Sequence, residues 1–525
     1  MRFHNACSLI LASVGLARGA VECGHLDPPD VPGAEIVTFS SRALYNISGL
    51  SFDAGRGKIS PVSGLDACAV NLTLTHPGVG DTVGFRLWLP LKNWNRRFLA
   101  LGGGGYAAGT GGGVTDFGIH AQNGFVVGTT DGGNLLDASG ALTDEIILAP
   151  GMIDLGRFTD FSSRALHELA VVAKAVAKRF YRAAPEYSYW SGCSTGGRQG
   201  YQMAQQYPGD FDGILANAPA LNYPSLLINL GWAEFTMRRL NHTVSQCILN
   251  KFVQAAIQAC DGLDGVVDGV IANTAACKFN PLSIVGQQVQ CNTNQETVVA
   301  QDAQVVALIM EGPKSARGTP LFYPSEWGMD YTFVVPPESA LSPTSLWDDW
   351  VSILVNKDSS YDISAYRELD QLVDFLTISY REYDGMIGTN NVDLGAFRDK
   401  GGKLLTWHGL ADGAIPPANT VDYRQRVERV MGGNARVNEF YRLFLAPGIA
   451  HCFGGAGAFP GDAFDALIKW VEKGQPPSEL HGTANPERKR KICLYPLVAQ
   501  YDEHGDPDET ASYTCAEEYG PVAQQ

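Results

Sequence analysis

The sequence predicts an α/β fold, a doubly wound sheet with a large inserted lid domain, and three observations predict it. Short apolar runs separated by turn residues fill the stretch from about Asp81 to Thr130. An amphipathic helix follows. After it a short aromatic strand passes through a glycine-flanked turn directly into a second helix. Taken in order, Val83 to Leu89, Arg97 to Leu101 and Gly124 to Thr129 read as strands, several of them apolar enough to be buried on both faces. The helix from Phe161 to Tyr181 carries Leu166, Leu169, Ala170, Ala173 and Ala177 on one face, with Lys174, Lys178 and Arg179 largely opposite. Tyr187 to Trp190 is the aromatic strand, and the second helix runs to Gln206. From Asn222 to Arg398 the alternation fades into Trp-rich and Pro-rich loops holding four cysteines, which reads as the lid. The sheet pattern returns with strand Gly402 to Trp407, helix Asn419 to Val430, strand Phe440 to Phe444 and helix Asp462 to Glu472. The expected division is therefore a leader over 1–19, a catalytic domain split between 20–221 and 399–525, and a lid over 222–398.

Composition narrows the function. In 525 residues, 45% are hydrophobic and 18% charged, against about 25% charged in an average soluble protein, so disorder and long coiled coils find no support. Acidic residues number 55 against 39 basic ones, and a net charge of -16 repels phosphate backbones and anionic lipid alike. Nucleic acid and membrane are thereby poor partners, and no partner protein is implied. Met1-Arg2, the apolar run from Cys7 to Ala17 and the small residues up to Ala20 read as a cleavable secretory leader. Cleavage would remove Cys7 and leave an even set of cysteines, suited to an oxidising compartment. Sequons at Asn46, Asn71 and Asn241 agree with a secreted, extracellular glycoprotein.

The chemistry is concentrated in three loops. Gly192-Cys193-Ser194-Thr195-Gly196 matches Gly-x-Ser-x-Gly between a strand and a helix, the context in which that motif lifts a nucleophilic serine above a hydrolase sheet. Such a serine needs a base and a carboxylate to orient it, in the chain order Ser, Asp, His. Asp412, just past the strand ending at Trp407, and His451, in a Gly-rich loop past Phe444, satisfy that order. His167, His408, His481 and His504 are worse placed, His408 because it precedes the acid. Cys193 adjoins the serine and Cys452 the histidine, so a disulfide between them would fix the catalytic geometry. The Gly-rich run Gly102 to Gly113 lacks the Lys-Ser/Thr ending of a phosphate loop and reads instead as the oxyanion loop, with amides of Gly104 and Thr195 as donors. In the lid, Asp261, Asp264 and Asp268, interleaved with glycines, can wrap a hard cation.

Cys193-Ser194, Asp412 and His451-Cys452 resemble the CS-D-HC motif of the tannase and feruloyl esterase family of secreted serine esterases. Gly192 to Gln199, Phe211 to Ile214, and Arg442 to Phe444 followed by Pro447 to Cys452 extend the similarity over almost the whole mature chain. The resemblance implies an α/β-hydrolase with its lid between nucleophile and acid. It also implies a structural calcium held by Asp261, Asp264 and Asp268 through carboxylates and by Val266 and Val270 through carbonyls, stapled by Cys260 and Cys277. Cys23 with Cys68 and Cys493 with Cys515 are natural further pairs, and Cys247 with Cys291 is what remains. That last pair departs from the more local lid bridge of the family. The expected function is hydrolysis of phenolic esters of the ferulic or p-coumaric type from plant cell wall. Galloyl esters, a fungal secondary metabolite, and a catalytically silent binding protein on the same fold stay open as alternatives.

Overall fold

The computed structural model describes residues 22–53, 55–137, 140–333, 343–484 and 488–520. The leader and Cys7 lie outside these residues. Nine strands form one sheet: β1 Glu35–Asp53, β2 Lys58–Thr75, β3 Val83–Pro90, β4 Arg97–Leu101, β5 Val126–Thr130, β6 Tyr187–Cys193, β7 Gly213–Asn217, β8 Lys403–Gly409 and β9 Tyr441–Ala446. Their order is β1-β2-β3-β5-β4-β6-β7-β8-β9. The first three strands and the β3–β5 pair run antiparallel, and β5, β4 and β6 to β9 run parallel.

Alternation along the central strands explains why helices cover both faces. On β4, Phe98 and Ala100 enter one core with Val126 and the helices α2 Ala165–Tyr181, α3 Thr195–Gln206 and α4 Pro417–Met431. Leu99 and Leu101 enter the other, with Phe117 of α1 Val114–Gln122 and with Phe464 and Trp470 of α5 Ala463–Lys473. A strand buried on both faces carries about 1.5–3 kcal/mol of hydrophobic stabilisation per large side chain. Phe98→Ala alone would therefore cost about 3–5 kcal/mol.

The sheet is larger than the sequence pattern indicated, since β1 and β2 precede the first strand read from it. β1 hides few side chains, and its pairing slips between Leu44 and Ile47 and again before Gly49, where Asn46 takes φ 52°. A bulged, half-exposed strand has no clean period of two to read. Past β9, hairpins Glu479–Ala484 with Arg488–Cys493 and Val498–Tyr501 with Tyr513–Ala516 were likewise not anticipated.

Between β7 and β8 the chain leaves the sheet for a helical insertion that packs around two apolar cores, the first shared with Tyr106, Phe158 and Phe161 of the scaffold and the second its own. One surrounds Trp347 and Trp350 and the other Leu249, Phe252 and Val306. Trp350 Nε1 donates to Ser379 Oγ at 2.7 Å, and that hydroxyl donates to Pro224 O at 2.9 Å, so the indole ties two lid helices together. Among the described residues no helix is long and apolar enough to cross a membrane. The asparagines of all three sequons are exposed.

Candidate active site

Ser194 sits between β6 and α3 with φ 61° and ψ -123°, a left-handed conformation that a non-glycine residue holds only when its surroundings enforce it. Its N–H donates to Asn217 O at 3.1 Å and its carbonyl accepts from Ala220 N at 3.1 Å, so the end of β7 holds the turn. The flanking glycines are needed for space: a Cβ on Gly192 would lie 2.5 Å from the carbonyl carbon of Gly196, and one on Gly196 would lie 2.9 Å from Gly103 O.

The Gly-rich loop after β4 crosses directly over this turn. Gly196 N donates to Gly103 O at 2.9 Å, and Thr195 Oγ1 donates to Gly105 O at 2.7 Å. Gln199, buried in α3, accepts from Gly103 N at 3.1 Å and donates to Ala108 O at 2.9 Å, which pins both arms of the loop. That settles which amide stays available. Gly103 N–H is spent on Gln199, whereas the amides of Gly104 and Thr195 have no protein acceptor among the described residues, and both residues line the cavity with Ser194. The glutamine has no motif of its own.

Asp412 and His451 come together as the sequence order required. His451 Nδ1 lies 2.8 Å from Asp412 Oδ2, so the proton on that nitrogen points to the carboxylate. Asp412 Oδ1 accepts from the amides of Ala414 and Ile415, each at 2.9 Å. Ala411 N donates to Ile449 O at 3.0 Å, joining the acid's loop to the histidine's. Burial alone would raise the Asp412 carboxyl, but His451 and His408 outweigh it and hold the group well below the usual carboxylate range. His408, unsuited as a base, is the unanticipated neighbour. Its Nε2 faces both Asp412 Oδ2 and Ile415 O at 3.1 Å and must carry the proton, while Nδ1 lies 2.8 Å from Thr420 Oγ1 and accepts from that hydroxyl.

Cys193 and Cys452 are bonded across 259 residues, with their Cα atoms 5.8 Å apart, and this crosslink fastens the serine turn to the histidine loop. Closing so long a loop is worth roughly 5 kcal/mol in the chain-entropy picture. The other bridges are Cys23–Cys68, Cys247–Cys291, Cys260–Cys277 and Cys493–Cys515. Ser194, His451, Thr195 and Gly104 border one cavity of about 440 Å³. Its lid wall is aliphatic, with Leu226, Leu227, Leu230 and Leu346; the scaffold wall is mainly aromatic, with Phe52, Trp407, Phe453 and Phe459 beside Ile415. His120 and Asp116 of α1 also line it, and no sequence signal marked them.

The acidic lid loop is a separate place. Asp261 accepts from the amides of Asp268, Gly269 and Val270, Asp264 from Val266, and Asp268 from Val270. Burial, with the charges of Asp268 and Asp261 added, pushes Asp264 up to about 7. A buried acid crowded by two others is the donor chemistry of a hard cation. The positive charge present in the structure is on Asp268, where Arg490 donates to Oδ2 at 2.6 Å and Arg488 donates to the backbone carbonyl. The three carboxylates do not close on a common point. Among the described residues the one trio of His, Cys, Asp or Glu side chains with ligand atoms all within 4.8 Å is His76, Asp81 and Asp160.

A parallel sheet with a serine on a strained strand–helix turn and an acid and histidine on successive strand ends defines the α/β-hydrolase class. Within it, residues 68–516 match the family model for tannase and feruloyl esterase, and the chain belongs to that family. A probable feruloyl esterase of Arthroderma benhamiae is 38% identical over 95% of this chain and 94% of its own length. A mono(2-hydroxyethyl) terephthalate hydrolase of Piscinibacter sakaiensis is 30% identical over 82% and 81%. Among solved structures, tannin acyl hydrolase from Aspergillus niger superposes with TM-score 0.82 at 27% identity, covering 93% of each chain. Feruloyl esterase B from Aspergillus oryzae gives 0.75 at 26%, covering 93% of this chain and 97% of its own. The chain is a carboxylic ester hydrolase.

Proposed function

We propose that this hydrolase is a secreted serine esterase that releases ferulic-type and p-coumaric-type acids from plant cell-wall esters through an acyl-enzyme. The observation that carries the reading is the meeting in one cavity of a strained Ser194, the His451–Asp412 pair and two unspent amides. Ser194 Oγ attacks the ester carbonyl carbon as its proton passes to His451 Nε2. The carbonyl π electrons move onto oxygen, where the Thr195 and Gly104 amides receive the charge. Collapse breaks the bond to the alkoxide, which leaves with the proton from His451. Water, deprotonated by the same nitrogen, then cleaves the acyl-Ser194 ester. Asp412 holds the imidazole in the required tautomer throughout. The aromatic and aliphatic walls suit a flat phenolic ester, and the 38% identical relative bears the feruloyl esterase name. Five disulfides and three exposed sequons support the extracellular assignment.

Galloyl esters are the second reading, favoured by the higher TM-score to the tannin acyl hydrolase. A fluorophosphonate probe should label the folded protein and not Ser194→Ala; equal labelling would sink the mechanism. Relative kcat/KM on methyl ferulate and methyl gallate decides the acyl group, with ferulate expected ahead. The lid loop is proposed to bind calcium through Asp261, Asp264 and Asp268 with the carbonyls of Val266 and Val270, the ion competing with Arg490 for Asp268. Calcium should raise Tm by several degrees and a chelator reverse it, whereas an unchanged Tm removes the metal from the account.

A further inference from the structure

His120 is a polar group in the cavity that the ester mechanism leaves unused. It lies on α1 at 3% exposure, among residues bordering the same space as Ser194. Its imidazole makes no hydrogen bond with any described residue, yet its nitrogens are not among the unpartnered buried atoms sealed from space. They therefore address the cavity. Burial lowers the affinity of this imidazole for a second proton, the Asp53 charge opposing the effect only in part and Arg56 adding to it. The ring is neutral, with one N–H donor and one bare nitrogen acceptor.

The surroundings specify what fits. Phe52 and Phe453 stand edge to face at 6.3 Å near the opening, and Trp407 and Phe459 do so at 5.2 Å. Asp116, one helical turn before His120, lines the same space, and the nearby Arg56 is already paired with Asp53 and Asp465, so an anion there would meet a carboxyl without a free cation to offset it. A neutral imidazole that both donates and accepts, set in aromatic walls, matches a group that also does both: a hydroxyl on a flat or apolar frame. We propose that His120 is a specificity-determining residue that hydrogen-bonds a neutral hydroxyl of the bound ester in this aromatic lobe. The assignment rests on the serine-esterase reading. The hydroxyl can belong to the acyl ring or to the alcohol, and the chemistry is the same.

Two substrate pairs separate those sources: methyl 4-hydroxycinnamate against methyl cinnamate, and 2-hydroxyethyl cinnamate against ethyl cinnamate. In one pair the wild type should favour the hydroxyl-bearing ester by roughly tenfold or more in kcat/KM, because its absence leaves a buried polar group unmet. His120→Leu should bring that ratio close to one, and His120→Gln, which keeps a donor and an acceptor, should restore part of it. If neither ratio responds in either variant, or both members of each pair fall in proportion, the proposal is overturned and His120 is structural. Hydrolysis of p-nitrophenyl acetate, compared with Ser194→Ala, reads the underlying mechanism alone. Ser194-dependent turnover with unresponsive ratios defeats only the His120 assignment, and turnover independent of Ser194 defeats both.

Discussion

Two buried histidine–carboxylate constellations stand among the described residues, and of these His451 with Asp412 lies against the cavity. His451 meets Asp412 through Nδ1 and borders the space that Ser194 also lines. His76, at the end of β2, meets Asp81 through Nδ1 at 2.5 Å and Glu168 through Nε2 at 2.6 Å. With carboxylates on both nitrogens His76 carries both protons: burial lowers its basicity, but Glu168 and Asp81 more than restore it, and the net effect is upward. A cation locked between two acids has no proton to exchange with a substrate. Arg164 completes the second cluster, with Nε on Asp160 Oδ1 at 2.6 Å and a terminal nitrogen on Asp81 Oδ2 at 3.0 Å, and supplies the positive charge a metal would otherwise bring. The comparison teaches that a His–Asp contact by itself says nothing about catalysis; the surroundings of the second nitrogen decide.

The largest effects should separate the two clusters. Asp412→Asn leaves the shape of the site but presents the wrong partner to His451 Nδ1, and kcat should fall by about 10⁴ with the fold retained. His76→Gln should do the reverse. It leaves two buried carboxylates short of a cation, costing about 3–5 kcal/mol of stability, with kcat at temperatures where the protein is folded within about twofold of wild type. Denaturation midpoints and kcat measured on both variants make the check. A collapse of kcat in folded His76→Gln would break the distinction.

A smaller effect tests how Asp412 is held. His408 Nε2–H is one of four donors around that carboxylate, beside His451 and two backbone amides. It acts through Asp412 and is a positioning residue. His408→Asn should lower kcat by about tenfold with KM little changed, in line with the loss of one charge-assisted hydrogen bond. A rise in KM at constant kcat would instead place His408 in substrate binding.

Much of this was legible in the sequence because each residue proposed to react sits in a loop at the end of a parallel strand, where glycine spacing and chain order leave a signature. Ser194, Asp412 and His451 needed nothing more, and the neighbouring Cys193 and Cys452 supplied their own distance restraint. Gly104 was legible as part of a glycine run, but its distinction from Gly103 rests on Gln199, a residue of α3 whose partners are remote in sequence. His408 and His120 were illegible for the same reason. One lies on a buried strand and the other on a buried helix, where histidine is usually packed and silent, and only folding shows what each faces. The first strand was hidden by exposure and bulging, and the Arg488 and Arg490 contacts to Asp268 join segments more than two hundred residues apart.

A final test concerns the proton that the second cluster keeps. Asp160 is fully buried, with Oδ1 on Arg164, Oδ2 without a donor among the described residues, and its carboxyl beside that of Asp81. Two carboxylate oxygens in contact need a proton between them. Burial, together with Asp81, raises Asp160 to about 7 despite Arg164, while Asp81 stays ionised. Because the folded value lies above the unfolded one, near 3.8, the native state binds the proton more tightly. That contribution to stability is complete below about pH 4 and is lost as pH rises towards and past 7. Asp160→Asn replaces the shared proton with an amide N–H that cannot dissociate and keeps the oxygen that Arg164 contacts. At pH 8 it should be more stable than wild type by on the order of a few kcal/mol, with the advantage shrinking as pH falls and gone by pH 4. Urea midpoints at the two pH values read the difference. An equal shift at both would mean that Asp160 is ionised throughout, and that Arg164 alone balances the pair.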